Sequence, residues 1–293
     1  MPEFLIIDAP SVLGLSPTGV EYAPEALKNA GLLERLNASY AGVIIPPEYN
    51  SERDAATQIL NPHSLRKFSV DLADRVTQAV HYKNFPVVLG GDCSILIGCM
   101  LAMKRSGKYG LFFLDGHADF YQPEAEPKGE AASMELAIVS GRGPEILTNI
   151  EGMKPLVQDE YIIAFGIRDS EEQKQYGSQD VHKTLIHVFE LHQIRAMGIE
   201  KASEQAAAIL ESYQLDGFWI HLDADVLDYK IMPAVDYQQP GGLQWEELII
   251  MLKLLMKSGK AAGITITIFN PKLDPDGSIA SRFVRSIAEG LKG

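Results

Sequence analysis

Three short acidic segments each follow an apolar run. Gly90-Gly91-Asp92-Cys93-Ser94 follows Val87-Val88-Leu89, and Asp115-Gly116-His117-Ala118-Asp119 follows Leu111-Phe112-Phe113-Leu114. Asp223-Ala224-Asp225-Val226-Leu227-Asp228 follows a run that includes Phe218-Trp219-Ile220-His221. If the runs are neighbouring parallel strands, their carboxyl ends open on one crevice. Carboxylates gathered there repel one another unless a cation lies among them, so the chemistry indicated is metal binding. Asp115, His117 and Asp119 alternate in an extended segment and can share one side, offering the oxygen and imidazole donors that Mn, Fe, Ni or Zn accept. Asp223 and Asp225 share a face if their strand continues. The Gly and terminal Glu spacing of a helix-loop-helix calcium site is missing. Taken singly, the first segment also reads as a tight turn with a capping Asp, and the second as a solvated loop. The three together are far more specific than any one.

The elements that must position these residues alternate along the chain. Strand-like runs occur at Phe4 to Ile7, Gly42 to Ile45, Pro86 to Leu89, Leu111 to Leu114, Tyr161 to Phe165, Ile186 to Phe189, Gly217 to Ile220 and Gly263 to Ile268. Most are continuously apolar, as suits strands buried on both faces. Helical patterns lie between them, among them Ser64 to His81, Ser203 to Ser212, Trp245 to Lys257 and Ser278 to Leu291. This alternation predicts a three-layer α/β/α sandwich with a mostly parallel sheet of about eight strands.

With 293 residues and 46% apolar content, the chain can bury a large core, and no composition shift marks a linker, so one domain over 1–293 is expected. A net charge of −13 without a Lys/Arg run argues against a nucleic-acid or anionic-membrane partner and leaves a small molecule as the expected one. The opening Met1-Pro2-Glu3-Phe4-Leu5-Ile6-Ile7-Asp8 has no positive region before its apolar run, and no stretch approaches the roughly 18 apolar residues of a membrane helix. A cytoplasmic location is therefore expected. The two cysteines, Cys93 and Cys99, read as reduced thiols.

The chain resembles the ureohydrolases, the family of arginase, agmatinase and formimidoylglutamase. The resemblance begins at Thr18-Gly19-Val20-Glu21-Tyr22-Ala23-Pro24-Glu25-Ala26-Leu27-Lys28-Asn29-Ala30-Gly31-Leu32, includes the three acidic segments, and continues through Gly166-Ile167-Arg168-Asp169, Gly241-Gly242-Leu243 and Phe269-Asn270-Pro271. It implies two Mn²⁺ ions bridged by a hydroxide. One would be held by Cys93, Asp115, Asp119 and Asp223, the other by Asp115, His117, Asp223 and Asp225. Asp119 and His117 would be the catalytic pair, with Asp119 orienting the nucleophile. The resemblance also implies a homo-oligomer, trimeric or hexameric.

The chain departs from the family pattern in ways that bear on chemistry. Cys93 stands where the family has the histidine of Gly-Gly-Asp-His-Ser. A thiolate there would favour Zn, Fe or Ni over Mn, whereas a small buried thiol would not ligate at all. Ala132 takes the place of a proton-shuttling histidine, and Ile268 that of the Glu that grips a guanidinium in Glu-Val-Asn-Pro. Asp228-Tyr229 replaces an Asp-Pro, read as a turn variation. Asp236 and Tyr237 stand where the family has a Gly and a small hydroxyl residue. Together with Tyr121 they are the expected substrate contacts, Asp236 facing a cationic substrate or adding a metal ligand; the plainer reading is a capping Asp and a packing Tyr.

The remaining candidates read more plainly. His221 is a partner to a ligand or a strand-end His satisfied by a backbone carbonyl. Glu124, Glu126, Glu130 and Glu135 read as a solvated lid. Asp169 orients structure, with Glu171 or Glu172 meeting a substrate amine. His63, His182, His187 and His192 have no carboxylate pattern around them. The expectation is a metal-dependent hydrolase of a non-peptide C–N bond (amidine, urea-like or linear amide) that does not act on arginine. The alternative is a catalytically inactive protein of the same fold that binds a metal or ligand or regulates. Retention of Asp115, Asp119, Asp223 and Asp225 favours a metal in either case, because four buried carboxylates without one would be costly.

Overall fold

A computed structural model describes residues 2–293. Eight strands, β1 (Glu3–Ala9), β2 (Ser39–Val43), β3 (Asn84–Gly90), β4 (Tyr109–Leu114), β5 (Ile162–Ile167), β6 (His187–Glu190), β7 (Gly217–Asp223) and β8 (Ala261–Thr267), form one sheet in the order β2-β1-β3-β8-β7-β4-β5-β6. Every pairing is parallel. All eight expected strands are present. The largest displacement is at β2, expected at Gly42 to Ile45. It is an edge strand with Tyr40 and Val43 exposed, so burial does not fix its limits, and Ile44 and Ile45 lie beyond it.

Successive strand residues point to opposite faces, and the sheet uses both. Phe112 and Leu114 pack with Phe165, Ile220 and Leu222 under the helices Ile199–Ser212, Trp245–Lys257 and Ser278–Lys292. Leu111 and Phe113 pack with Ala164 and Trp219 under Pro62–His81 and Leu96–Ser106. Fully burying a Phe or Leu side chain is worth about 1.5–3 kcal/mol, so the continuous apolar runs are accounted for by two covering layers. Trp219 fits because β8 offers Gly263 beside it: a Cβ there would lie 2.3 Å from the indole. Its Nε1 donates to Thr265 Oγ1 at 3.1 Å.

Helix limits follow local chemistry. Trp245–Lys257 matches its expected span and opens on a capping box in which the Gln244 N–H donates to Glu247 Oε2 at 2.7 Å. The helix expected from Ser64 begins at Pro62, a residue whose fixed φ suits the first turn. Among the described residues no helix is long and apolar enough to cross a membrane. For the site, the decisive feature is the central order β3-β8-β7-β4, which brings the carboxyl ends behind all three acidic segments side by side.

Candidate metal centre

The first segment contributes its thiol, not its carboxylate. Asp92 turns back as a cap, accepting from Ser94 N at 2.8 Å and Gly14 N at 3.2 Å, and burial raises its pKa to about 6. The turn is tight because a Cβ on Gly91 would lie 1.8 Å from the Ser11 carbonyl oxygen. Cys93 then points inward, fully buried, with Sγ 2.7 Å from Asp223 Oδ2 and 3.1 Å from Thr267 Oγ1. Burial and then Asp223 push its thiol well above the usual range.

Asp115 and Asp223 share one local device. Each uses Oδ1 to accept the backbone N–H two residues on, His117 N and Asp225 N respectively, both at 2.7 Å. Each therefore keeps Oδ2 for the crevice: that of Asp115 has no partner and that of Asp223 meets Cys93. Asp225 joins β7 to the second segment, accepting from Gly116 N at 3.2 Å and lying 3.0 Å from His117 Nδ1 through Oδ2. Burial opposes charge on both members of that pair, but their mutual attraction prevails, raising His117 and lowering Asp225. Arg168 stands behind, donating to the Asp225 carbonyl; a Cβ on Gly116 would lie 2.4 Å from its guanidinium. Asp119 adopts a left-handed φ of 44°, while Asp169 accepts from Ala118 N at 3.2 Å and Gln173 Nε2 at 2.8 Å. Asp169 thus holds the loop that carries Asp119.

The fold gathers these donors into three overlapping sets, in each of which the ligand atoms lie within 4.8 Å of one another: Cys93, Asp115, His221 and Asp223; Cys93, Asp115, Asp119 and Glu135; and Asp115, His117 and Asp225. Asp115 Oδ2, both Glu135 oxygens and His221 Nε2 are buried without a hydrogen-bond partner. Burial, then mutual repulsion, lifts Asp115 and Asp223 well above the usual carboxylate range. Orphaned donors of hard and borderline type converging on one point are what divalent ions require, so the residues present fit such ions.

Some expectations require correction. Glu135 is no part of a solvated lid but is fully buried in the centre; Glu126 and Glu130 are buried too, tied to Glu130 N and to Ser16, and of the four only Glu124 is exposed. The signal available was the composition of Met134-Glu135-Leu136-Ala137-Ile138-Val139, a helix start with one charge in an apolar run. His221 meets no backbone carbonyl: Nδ1 lies 3.2 Å from Thr265 Oγ1, the ring stacks on Phe113, Nε2 is 4.0 Å from Asp115 Oδ2, and burial lowers its pKa to about 3. Asp236 stands outside all three donor sets, its oxygens taken by Thr18 Oγ1 and by Asn270 Nδ2, the latter at 2.7 Å. It is a latch between loops rather than an added ligand. His182 and His192 do have a carboxylate neighbour, each lying 2.9 Å from Glu190, far in sequence from the acidic segments.

Above the donors opens a cavity of about 360 Å³. Tyr121, Asp236 and Tyr237 line it, with Ala132 and Ile268 near the donors and Glu172, not Glu171, on the wall. Tyr237 stands edge-on to His117 and accepts from Lys128 Nζ at 2.8 Å. Ile268 holds a left-handed φ of 65°, an unusual conformation for a β-branched residue and a strained one at the pocket wall.

A parallel sheet whose carboxyl ends converge carboxylate and imidazole donors beneath a small cavity defines a metal-dependent hydrolase. The chain belongs to the arginase family, whose model matches residues 3–291. It is 30% identical over 287 residues to an arginase of Staphylococcus aureus (strain COL), covering 95% of this chain and 93% of that one. The arginase structure from Bacillus caldovelox superposes with a TM-score of 0.89 at 27% identity, covering 100% of this chain and 99% of that chain. The formimidoylglutamase of Bacillus subtilis shares the fold, with a TM-score of 0.75 at 18% identity over 100% of this chain and 88% of that chain.

Proposed function

We propose that this protein hydrolyses a non-peptide C–N bond (amidine, urea-like or linear amide) in a small molecule other than arginine. The observation that carries the reading is Ile268 on the wall of the cavity beside the acidic donors. An aliphatic side chain cannot form the charge-assisted bonds that hold a guanidinium. Ala132, on the same wall, can neither accept nor deliver a proton.

Cys93, Asp115, Asp119 and Asp223 are the proposed holders of one divalent ion, and Asp115, His117, Asp223 and Asp225 of the other. When bound, such ions supply Lewis acidity and lower the pKa of water. On this reading Asp119 would orient the attacking oxygen and take its proton, while His117, held by Asp225, faces the cavity. Glu172 is the wall carboxylate best able to meet a substrate amine, since its one side-chain contact is a 3.4 Å approach from Gln239 Nε2. Tyr237 and Tyr121 close the sides. A cytoplasmic homo-oligomer is part of the same reading.

Elemental analysis of protein purified without added metal, followed by a screen for ammonia or amine release from amidines, ureas and amides, tests the proposal. L-arginine belongs in the screen as the substrate named by the relatives. Brisk urea release from it would replace this reading with arginase activity.

A further inference from the structure

Glu135 is the first residue of the helix Glu135–Val139 and is fully buried. Neither of its oxygens has a hydrogen-bond partner, and among the described residues no Lys, Arg or His forms an ion pair with it. A carboxylate in that position is strongly penalised unless something supplies positive charge. One of its oxygens lies within 4.8 Å of Cys93 Sγ and of an oxygen on each of Asp115 and Asp119. Cys93 follows β3 and Asp115 and Asp119 follow β4, whereas Glu135 opens the helix Glu135–Val139, so the four donors are brought together from three separate stretches of the chain.

We infer that Glu135 is a metal ligand, joining Cys93, Asp115, Asp119 and Asp223 at one of the two ion positions. The inference rests on reading the cluster as a metal centre and adds a ligand to it. With Glu135 included, four of the five donors are carboxylates. That set is harder than Cys93 alone would indicate and accommodates Mn²⁺ as well as softer ions.

The test compares wild type, Glu135→Gln and Glu130→Gln after identical chelation, loading with Mn²⁺ and dialysis. Readouts are metal per chain by elemental analysis, the Mn²⁺ electron paramagnetic resonance spectrum, and the melting temperature of the chelated forms. Wild type and Glu130→Gln are expected to hold two ions with an exchange-coupled spectrum. Glu135→Gln is expected to hold one, with affinity for the second at least tenfold weaker and a spectrum of an isolated ion. Chelated Glu135→Gln should melt no lower than chelated wild type, because it lacks a buried unpartnered charge, and this separates loss of a ligand from loss of the fold. Two ions bound at wild-type affinity in Glu135→Gln would overturn the inference while leaving the metal centre intact, as would equal losses in Glu130→Gln. Absence of bound metal in folded wild type would overturn both.

Discussion

Cys93 Sγ lies 2.7 Å from Asp223 Oδ2, joining the end of β3 to the end of β7 across Thr267, the last residue of the strand between them. The contact fixes the Asp223 oxygen that its backbone turn leaves free. Asp223 is therefore held on both oxygens in a position shared by the Cys93 side and the Asp225 side of the centre.

From this shared position, Asp223→Ala is expected to leave less than half the wild-type metal content. Elemental analysis alongside circular dichroism checks it. A folded variant with unchanged metal would show that Asp223 is no ligand.

Cys93 is expected to influence which ion binds more than whether one binds. As a thiolate it would favour Zn²⁺ over Mn²⁺, so Cys93→Ser should shift a Zn²⁺/Mn²⁺ competition toward Mn²⁺ by about tenfold, roughly 1.4 kcal/mol. Loading wild type with Co²⁺ and looking for a sulfur-to-metal charge-transfer band reads the same point directly. With no band and an unshifted competition, Cys93 would be a packing thiol.

L-arginine and agmatine are expected to react at least about a hundredfold more slowly than substrates of an intact clamp and shuttle, the usual cost of losing such a group. Introducing Ala132→His with Ile268→Glu should raise urea release from arginine about tenfold or more. Steady-state assays with Mn²⁺ supplied decide this, and ordinary enzyme speed in the unmodified protein would refute it.

The chelated protein should lose stability as pH rises from about 4 to 7. Asp92, Asp115, Asp119, Asp223 and Glu135 all have folded pKa values raised by burial above their ordinary values. A raised group leaves stability intact below its unfolded pKa and loses it as pH climbs through the folded one. Asp92, at about 6 against 3.8, accounts for about 3 kcal/mol over that interval. His221, lowered to about 3, acts in the opposite sense over most of that interval and Asp225 only below it, so the raised Asp115, Asp119, Asp223 and Glu135 set the net sign. Thermal midpoints across this range should decline for chelated protein and much less for metal-loaded protein, where cations replace protons. A rising midpoint in the chelated form would contradict the burial argument.

Much of the architecture was legible because strands buried on both faces read as uninterrupted apolar runs. All eight strands, and the carboxyl-end position of the acidic segments, follow from that. β2 was displaced because an edge strand with exposed Tyr40 and Val43 carries no such signature. Glu135 was legible only as a lone charge in an apolar run, because its approach to Asp119 depends on a loop path without periodicity. The latch formed by Asp236 was not legible because its partners Thr18 and Asn270 are distant in sequence.

The strand order has a bearing on biosynthesis. β3 and β4 follow one another along the chain, yet β8 and β7 come to lie between them. While the first half of the polypeptide is emerging from a ribosome, the strands that must separate Cys93 from Asp115 have not been made. The centre can be complete only after Ala261–Thr267 has been synthesised and inserted, so its assembly falls late in folding.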